Sequence, residues 1–165
     1  MAAHSQQYTT LLRTSLDQLE WALSRLPETM LTIAPRPGRW SAARIVFHLL
    51  CYEQRIALPT MRQWLGDPAP PAHLQEEDAA VEERDWADGA DHPLTTMLAD
   101  LRVVRADQIG VIAQVEGTAW QEERAALWGA VTLEWVVTKT FQHTLEHTDE
   151  ILRNVLWGRP PAPNP

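Results

Sequence analysis

The stretch that decides the fold is 132–156, which reads TLEWVVTKTFQHTLEHTDEILRNVL. At about 100° per residue, its apolar side chains gather on one helical face, which includes Val137 and Val155. The opposite face carries charged and polar side chains: Lys139, Gln142, Glu146, Asp149 and Glu150. Gly158 and Pro160 follow and indicate the end of the helix. This pattern predicts a long amphipathic helix with one buried face.

Prolines divide the rest of the chain into segments with the same helical periodicity, because proline lacks an amide donor and breaks helix interiors. The predicted helices cover 5–26, 41–66 and 93–112. Ser41 is a good N-cap for the second of them. Pro59 lies inside that helix and predicts a kink there.

Four long helices in 165 residues predict an all-α fold, a four-helix bundle. We expect a single domain over 1–158, followed by a weakly ordered Pro-rich tail over 159–165. The acidic connection 67–92 is compatible with a short additional helix over 74–86. None of the connections predicts a pair of strands joined by a hairpin turn.

Composition excludes several classes of function. The formal net charge of -8 argues against a nucleic-acid partner, since such binding depends on Lys and Arg side chains. No segment approaches the roughly 18 apolar residues of a membrane span, and the N-terminus does not resemble a signal peptide. Cys51 is the single cysteine, which rules out an internal disulfide and fits a reducing compartment. We therefore expect a cytoplasmic protein that is not bound to a membrane.

Three histidines stand on predicted helices. His143 and His147 lie four residues apart, about 40° from each other at the rim of the buried face. Two imidazoles at this spacing can reach one metal ion, although two partly buried histidines satisfied by hydrogen bonds would show the same pattern. His48 lies in an apolar stretch of the second helix, and a third imidazole would complete a catalytic type of metal site. The remaining histidines are expected at the surface: His4, His73 and His92.

Two other metal sites can be weighed against the sequence. Carboxylate di-iron bundles use Glu-x-x-His on two helices, and no glutamate stands three residues before His48, His143 or His147. The run 143–147 does match the His-x-x-Glu-His motif of inverted zinc peptidases. Those enzymes need a larger domain and a further glutamate downstream, for which the 18 residues after His147 leave little room.

The order of these motifs is similar to a known family. Trp40-Ser41, then His48-Leu49, then His143-x-x-x-His147 with Glu150-Ile151 resembles the DinB/YfiT-like superfamily of metal-dependent enzymes. The resemblance covers nearly the whole chain. It implies a four-helix bundle with up-down-down-up connections, and a divalent metal ion bound by the three histidines. Zinc or nickel are the first expectations for that ion, and iron is a further one.

The resemblance also implies a range of activities. Relatives include thiol-dependent transferases and isomerases that use low-molecular-weight thiols as cosubstrates, and many are homodimers. We therefore expect a small-molecule substrate, with an S-transferase or a hydrolase as the leading interpretation. The alternatives are a metal-binding or small-ligand-binding stress protein without catalysis, and a bundle whose histidines are core residues.

Several side chains near the predicted site are candidates for a catalytic role. Arg44, Tyr52 and Arg55 lie within about 40° of His48 on the helical wheel. The arginines could bind an anionic substrate or pair with acids of neighbouring helices, and Tyr52 could donate a hydrogen bond or pack in the core. Glu146 is a candidate base or a solvated glutamate, and Cys51 a ligand, a nucleophile or a small buried side chain.

Overall fold

A computed structural model of the chain describes residues 3–71, 74–88 and 93–157. The chain is mostly helical, as predicted. Its helices in chain order are α1 (Ala3–Ser24), α2 (Glu28–Leu31), α3 (Ala42–Tyr52), α4 (Leu58–Arg62), α5 (Leu74–Asp88), α6 (Leu94–Ile112) and α7 (Leu133–Trp157). Short 3-10 turns cover Gln63–Leu65 and Gly117–Gln121. The short helix expected in the 67–92 connection is α5. The predicted tail and His73 and His92 lie outside the described residues, as does the side chain of His4.

The second predicted helix is continuous but irregular. Ser41 caps α3, and its side chain accepts a hydrogen bond from the backbone amide of Arg44 at 3.1 Å. A π-helical turn over Glu53–Ala57 joins α3 to α4, and the amide of Leu58 donates to the carbonyl of Glu53. Pro59 explains this turn, since in a regular α-helix its ring would clash with the carbonyl of Arg55, four residues earlier, and it has no amide to donate to that carbonyl. The kink expected at Pro59 is thus a π-turn just before it.

The long helical segments share one apolar core. Helix α1 packs against α6 and α7, and α3 packs against the same two helices. Fully buried side chains from each segment meet in it, among them Leu12, Leu19, Ile45, Leu49, Leu101, Leu133 and Ile151. Burial of these apolar faces, more than intrinsic propensity, stabilises helices of this kind. The packing places the middle of α3 beside the middle of α7.

The prediction that no strand pair is present was wrong. Strands β1 (Arg124–Ala126) and β2 (Gly129–Val131) form a short antiparallel hairpin, with Ala126 paired to Gly129. Strands of three residues are too short to show an alternating pattern, and the turn lacks the Asn-Gly or Asp-Gly signal. Gly129 has a φ of +95°, which glycine adopts without steric cost. The hairpin brings Trp128 against Tyr52, with 6.4 Å between ring centroids.

Within the described residues, no helix is both long enough and apolar enough to cross a membrane.

Candidate metal centre

The fold brings three histidines together from two helices. His48 projects from the middle of α3, and His143 and His147 project from one face of α7. Their ring centroids form a nearly equilateral triangle, with distances of 5.0, 4.9 and 4.9 Å. One ligand atom from each lies within 4.8 Å of the others, so the group could hold one metal ion. Among the described residues no other group of histidine, cysteine and acidic side chains converges in this way.

The ring nitrogens of this triad are arranged as ligands of a shared centre would be. Nε2 of His48 and Nε2 of His143 face each other at 3.0 Å. A neutral imidazole has a free lone pair on only one of its two ring nitrogens. The hydrogen-bond partner of the other nitrogen decides which one that is. Imidazole nitrogens suit a divalent ion of the zinc and nickel type, and three neutral imidazoles would leave the charge of that ion uncancelled. The residues present therefore fit such an ion.

Burial keeps two of the histidines neutral. Burial lowers the pKa of His143 to about 3, and the nearby His147 and His48 add to the effect. Burial also lowers the pKa of His147, and the charge of His48 makes the next largest contribution in the same direction. Since a metal binds the neutral imidazole, both side chains are in the binding form at neutral pH.

Acidifying the metal-free protein should expose this shift. Unfolded His143 binds a proton near its usual pKa of 6.5, whereas the folded side chain does so only near 3. The unfolded state therefore binds more protons between these values, and the stability present above pH 6.5 is lost as the pH falls. We expect a loss of about 1–2 kcal/mol between pH 7 and pH 5 from this residue.

Urea unfolding of chelator-treated protein at both pH values measures this loss. The variant His143→Gln serves as the reference, because all other titrating groups remain. Wild type should lose more stability than the variant on acidification, and equal losses would contradict a lowered pKa of His143 in the folded protein.

Two carboxylates contact the Nδ1 atoms of His48 and His147. Nδ1 of His48 lies 2.9 Å from Oε2 of Glu82 on α5, a buried side chain. Nδ1 of His147 lies 3.3 Å from Oε2 of Glu150, and Arg39 approaches the other oxygen of that carboxylate at 3.7 Å. Metal-bound histidines commonly donate their second N–H to such groups. Nδ1 of His143 is buried and has no hydrogen-bond partner within the described residues.

Glu82 is the residue that sequence reasoning missed. A helix was expected in its segment, but seven acidic side chains lie between 76 and 88, and nothing in their spacing distinguishes one of them. Its contact with His48 spans 34 residues. Glu150, in contrast, stands three residues after His147, a spacing that places both on one helical face.

Aromatic rings enclose the triad. Trp40 lies 4.9 Å from His48 and 6.1 Å from His147, measured between ring centroids, and it is partly exposed. Tyr52 meets His143 edge-on at 4.4 Å. Burial raises the pKa of Tyr52 to about 12, so it remains a neutral phenol at physiological pH. Of these two rings, Trp40 is the exposed one and Tyr52 is buried.

The arginines near His48 are paired with acids of α5. Arg44 is buried and contacts Glu82 at 3.0 Å and Glu83 at 2.8 Å. Arg55 contacts Asp85 at 2.6 Å. Of the two alternatives left open by the sequence, pairing with a neighbouring helix is the one present in this structure.

The two remaining candidates, Glu146 and Cys51, differ in burial. Glu146 is exposed and accepts a hydrogen bond from Gln142 at 2.9 Å. Cys51 is a buried thiol on α3, packed within the apolar core. Neither belongs to the group that could hold the ion.

A buried polar network lies beside the triad. Glu53, which follows Tyr52, pairs with Arg105 of α6, and both side chains are almost fully buried. Arg105 also donates to the carbonyl of Leu12 at 2.7 Å, to Ser15 at 2.9 Å and to Thr144 at 2.9 Å. The network thus ties α1, the π-turn, α6 and α7 together next to His143.

Comparison with known families agrees with this site. The model of the DinB superfamily matches residues 11–151, which includes α3, α5, α6 and most of α7. No curated protein and no solved structure gives a significant match.

Proposed function

Because this chain belongs to the DinB superfamily, we propose that it is a metal-dependent enzyme in which His48, His143 and His147 bind one divalent ion. The convergence of one ligand atom from each of these side chains carries the proposal. Zinc and nickel fit the neutral imidazole donors best, and iron is the next choice. In keeping with the family, the helices would follow the up-down-down-up order.

The ion would supply Lewis acidity. Held by three neutral ligands, a divalent ion keeps its full charge and lowers the pKa of a thiol or water bound to it. This chemistry suits an S-transferase that uses a low-molecular-weight thiol as cosubstrate, or a hydrolase, acting on a small molecule.

The surrounding residues determine how a substrate would approach. Glu82 and Glu150 orient the imidazoles of His48 and His147. Tyr52 stays protonated beside His143, so its hydroxyl can donate a hydrogen bond but carries no charge. Trp40 offers an exposed apolar surface beside His48 and His147, where a thiol or an electrophile with an apolar portion would rest. Arg44 and Arg55 pair with acids of α5, so we do not assign them a role in binding an anionic substrate.

Metal titration followed by turnover assays tests the proposal. Protein purified without a histidine tag and stripped with a chelator should bind one equivalent of zinc or nickel. The loaded protein should then turn over a thiol with an electrophile, or an ester, and the stripped protein should not. Failure to bind either metal would overturn the proposal.

Binding without turnover across the thiols and esters would favour the alternative, a non-catalytic metal- or ligand-binding stress protein. Sedimentation of the same sample measures its oligomeric state, for which we propose a homodimer. We propose a cytoplasmic location, in keeping with the single reduced cysteine.

A further inference from the structure

We infer that Glu82 is a positioning residue, which holds the proton of His48 on Nδ1 and so directs the free lone pair of Nε2 toward the shared centre. The inference rests on the proposed function and deepens it. It also gives α5, which lies between the second and third long helices, a direct role in metal affinity.

Each oxygen of the Glu82 carboxylate has a separate partner. Oε1 lies 3.0 Å from Nη2 of Arg44, and Oε2 lies 2.9 Å from Nδ1 of His48. A carboxylate can only accept hydrogen bonds, so the short contact to Oε2 requires a hydrogen on Nδ1. A neutral imidazole with its hydrogen on Nδ1 has its lone pair on Nε2, the atom that faces His143.

Arg44 keeps this carboxylate in place. Its guanidinium is buried, donates to the backbone carbonyl of Glu82 at 3.2 Å, and lies 5.2–5.4 Å from the ring centroids of Trp40, Phe47 and Trp86. Arginine is always charged and offers only donors. The side chain of Glu82 is 7 % exposed, so water competes little for its oxygens.

The three histidines differ in this support. His147 has the longer contact to Glu150, at 3.3 Å, and that carboxylate is 24 % exposed. His143 has no partner for Nδ1 among the described residues. Of the two carboxylates, Glu82 makes the shorter contact and is the more buried. His48 is therefore the ligand whose tautomer depends most on a single side chain.

The isosteric variant Glu82→Gln distinguishes positioning from simple packing. An amide has one accepting and one donating end, and Arg44 can be satisfied only by the accepting oxygen. The charge-assisted bond to Arg44 is the stronger one, so the amide NH₂ should face His48. Nδ1 would then have to accept, and the proton would move to Nε2, where it blocks metal binding.

The matched control is Glu83→Gln. Glu83 is the next residue of α5 and pairs with the same arginine, but it is 73 % exposed, and among the described residues Arg44 is its partner. Both variants remove one negative charge near Arg44. Only the first changes the group that faces Nδ1 of His48.

Imidazole ¹⁵N NMR of the metal-free proteins above pH 7.5 reports the tautomer, and competition with a chelator reports the zinc affinity. Wild type and Glu83→Gln should show His48 protonated on Nδ1, and Glu82→Gln should show it protonated on Nε2. Zinc affinity should fall by about 10–100-fold in Glu82→Gln, as for other outer partners of metal ligands, and less than about twofold in Glu83→Gln.

The inference is overturned if wild-type His48 carries its proton on Nε2, a result that needs no variant to fold. It is also overturned if Glu82→Gln keeps the Nδ1 proton and wild-type affinity. A wild type that shows the Nδ1 tautomer but binds no metal would contradict the proposed function and the role of α5 in metal affinity, and it would support only the role of Glu82 in placing the proton of His48.

Discussion

Replacement of His143 by alanine is expected to lower the affinity for zinc and nickel by more than about a hundredfold. Outer partners of metal ligands already account for about 10–100-fold, and loss of a ligand should exceed that. His143 faces His48 through Nε2 and shares its helix with His147, so its removal leaves only two imidazoles. Chelator competition measures the affinity.

The neighbouring exposed residue provides the control. Gln142 precedes His143 on α7 and interacts with Glu146 at the surface. Gln142→Ala should retain wild-type affinity for both metals. If His143→Ala retains it as well, while its circular dichroism matches that of wild type, the metal site is elsewhere or absent.

The change Glu53→Gln is expected to lower the free energy of unfolding by about 3 kcal/mol or more. Breaking a buried ion pair by removing one partner typically costs about 3–5 kcal/mol, because the other charge is left buried. Burial raises the pKa of Glu53 and Arg105 opposes that rise. Arg105 cannot discharge, so the variant confines a guanidinium opposite a neutral amide. Urea unfolding at pH 7 measures the loss.

A surface pair on the same helix provides the reference. Arg102 also lies on α6 and pairs with Glu20 at 2.7 Å, but its side chain is 54 % exposed. Glu20→Gln should change the free energy of unfolding by no more than about 1 kcal/mol. Equal effects of the two substitutions would mean that Glu53 and Arg105 do not form a desolvated pair.

The helices were predictable because their signals are local. Capping by Ser41, the proline boundaries and the apolar spacing in α7 all act within a few residues. The same local spacing places His143 and His147 on one face of α7. That His48 would join them came from the resemblance to a family, since no periodicity relates residues 95 positions apart.

The sequence by itself determined a helical chain with apolar faces to bury and three histidines on those helices. Only the tertiary structure decided which acids face which bases. The packing of α5 on α3 places Glu82, and not another acidic residue of α5, against His48. Glu53 lies in the π-turn before Pro59 and pairs with Arg105, which is 52 residues further along the chain. The hairpin around Gly129 was likewise invisible in its short strands. Helix periodicity depends on neighbours along the chain. The partner of a buried charge and the position of an imidazole proton depend instead on which side chain the packing of the helices brings within about 3 Å.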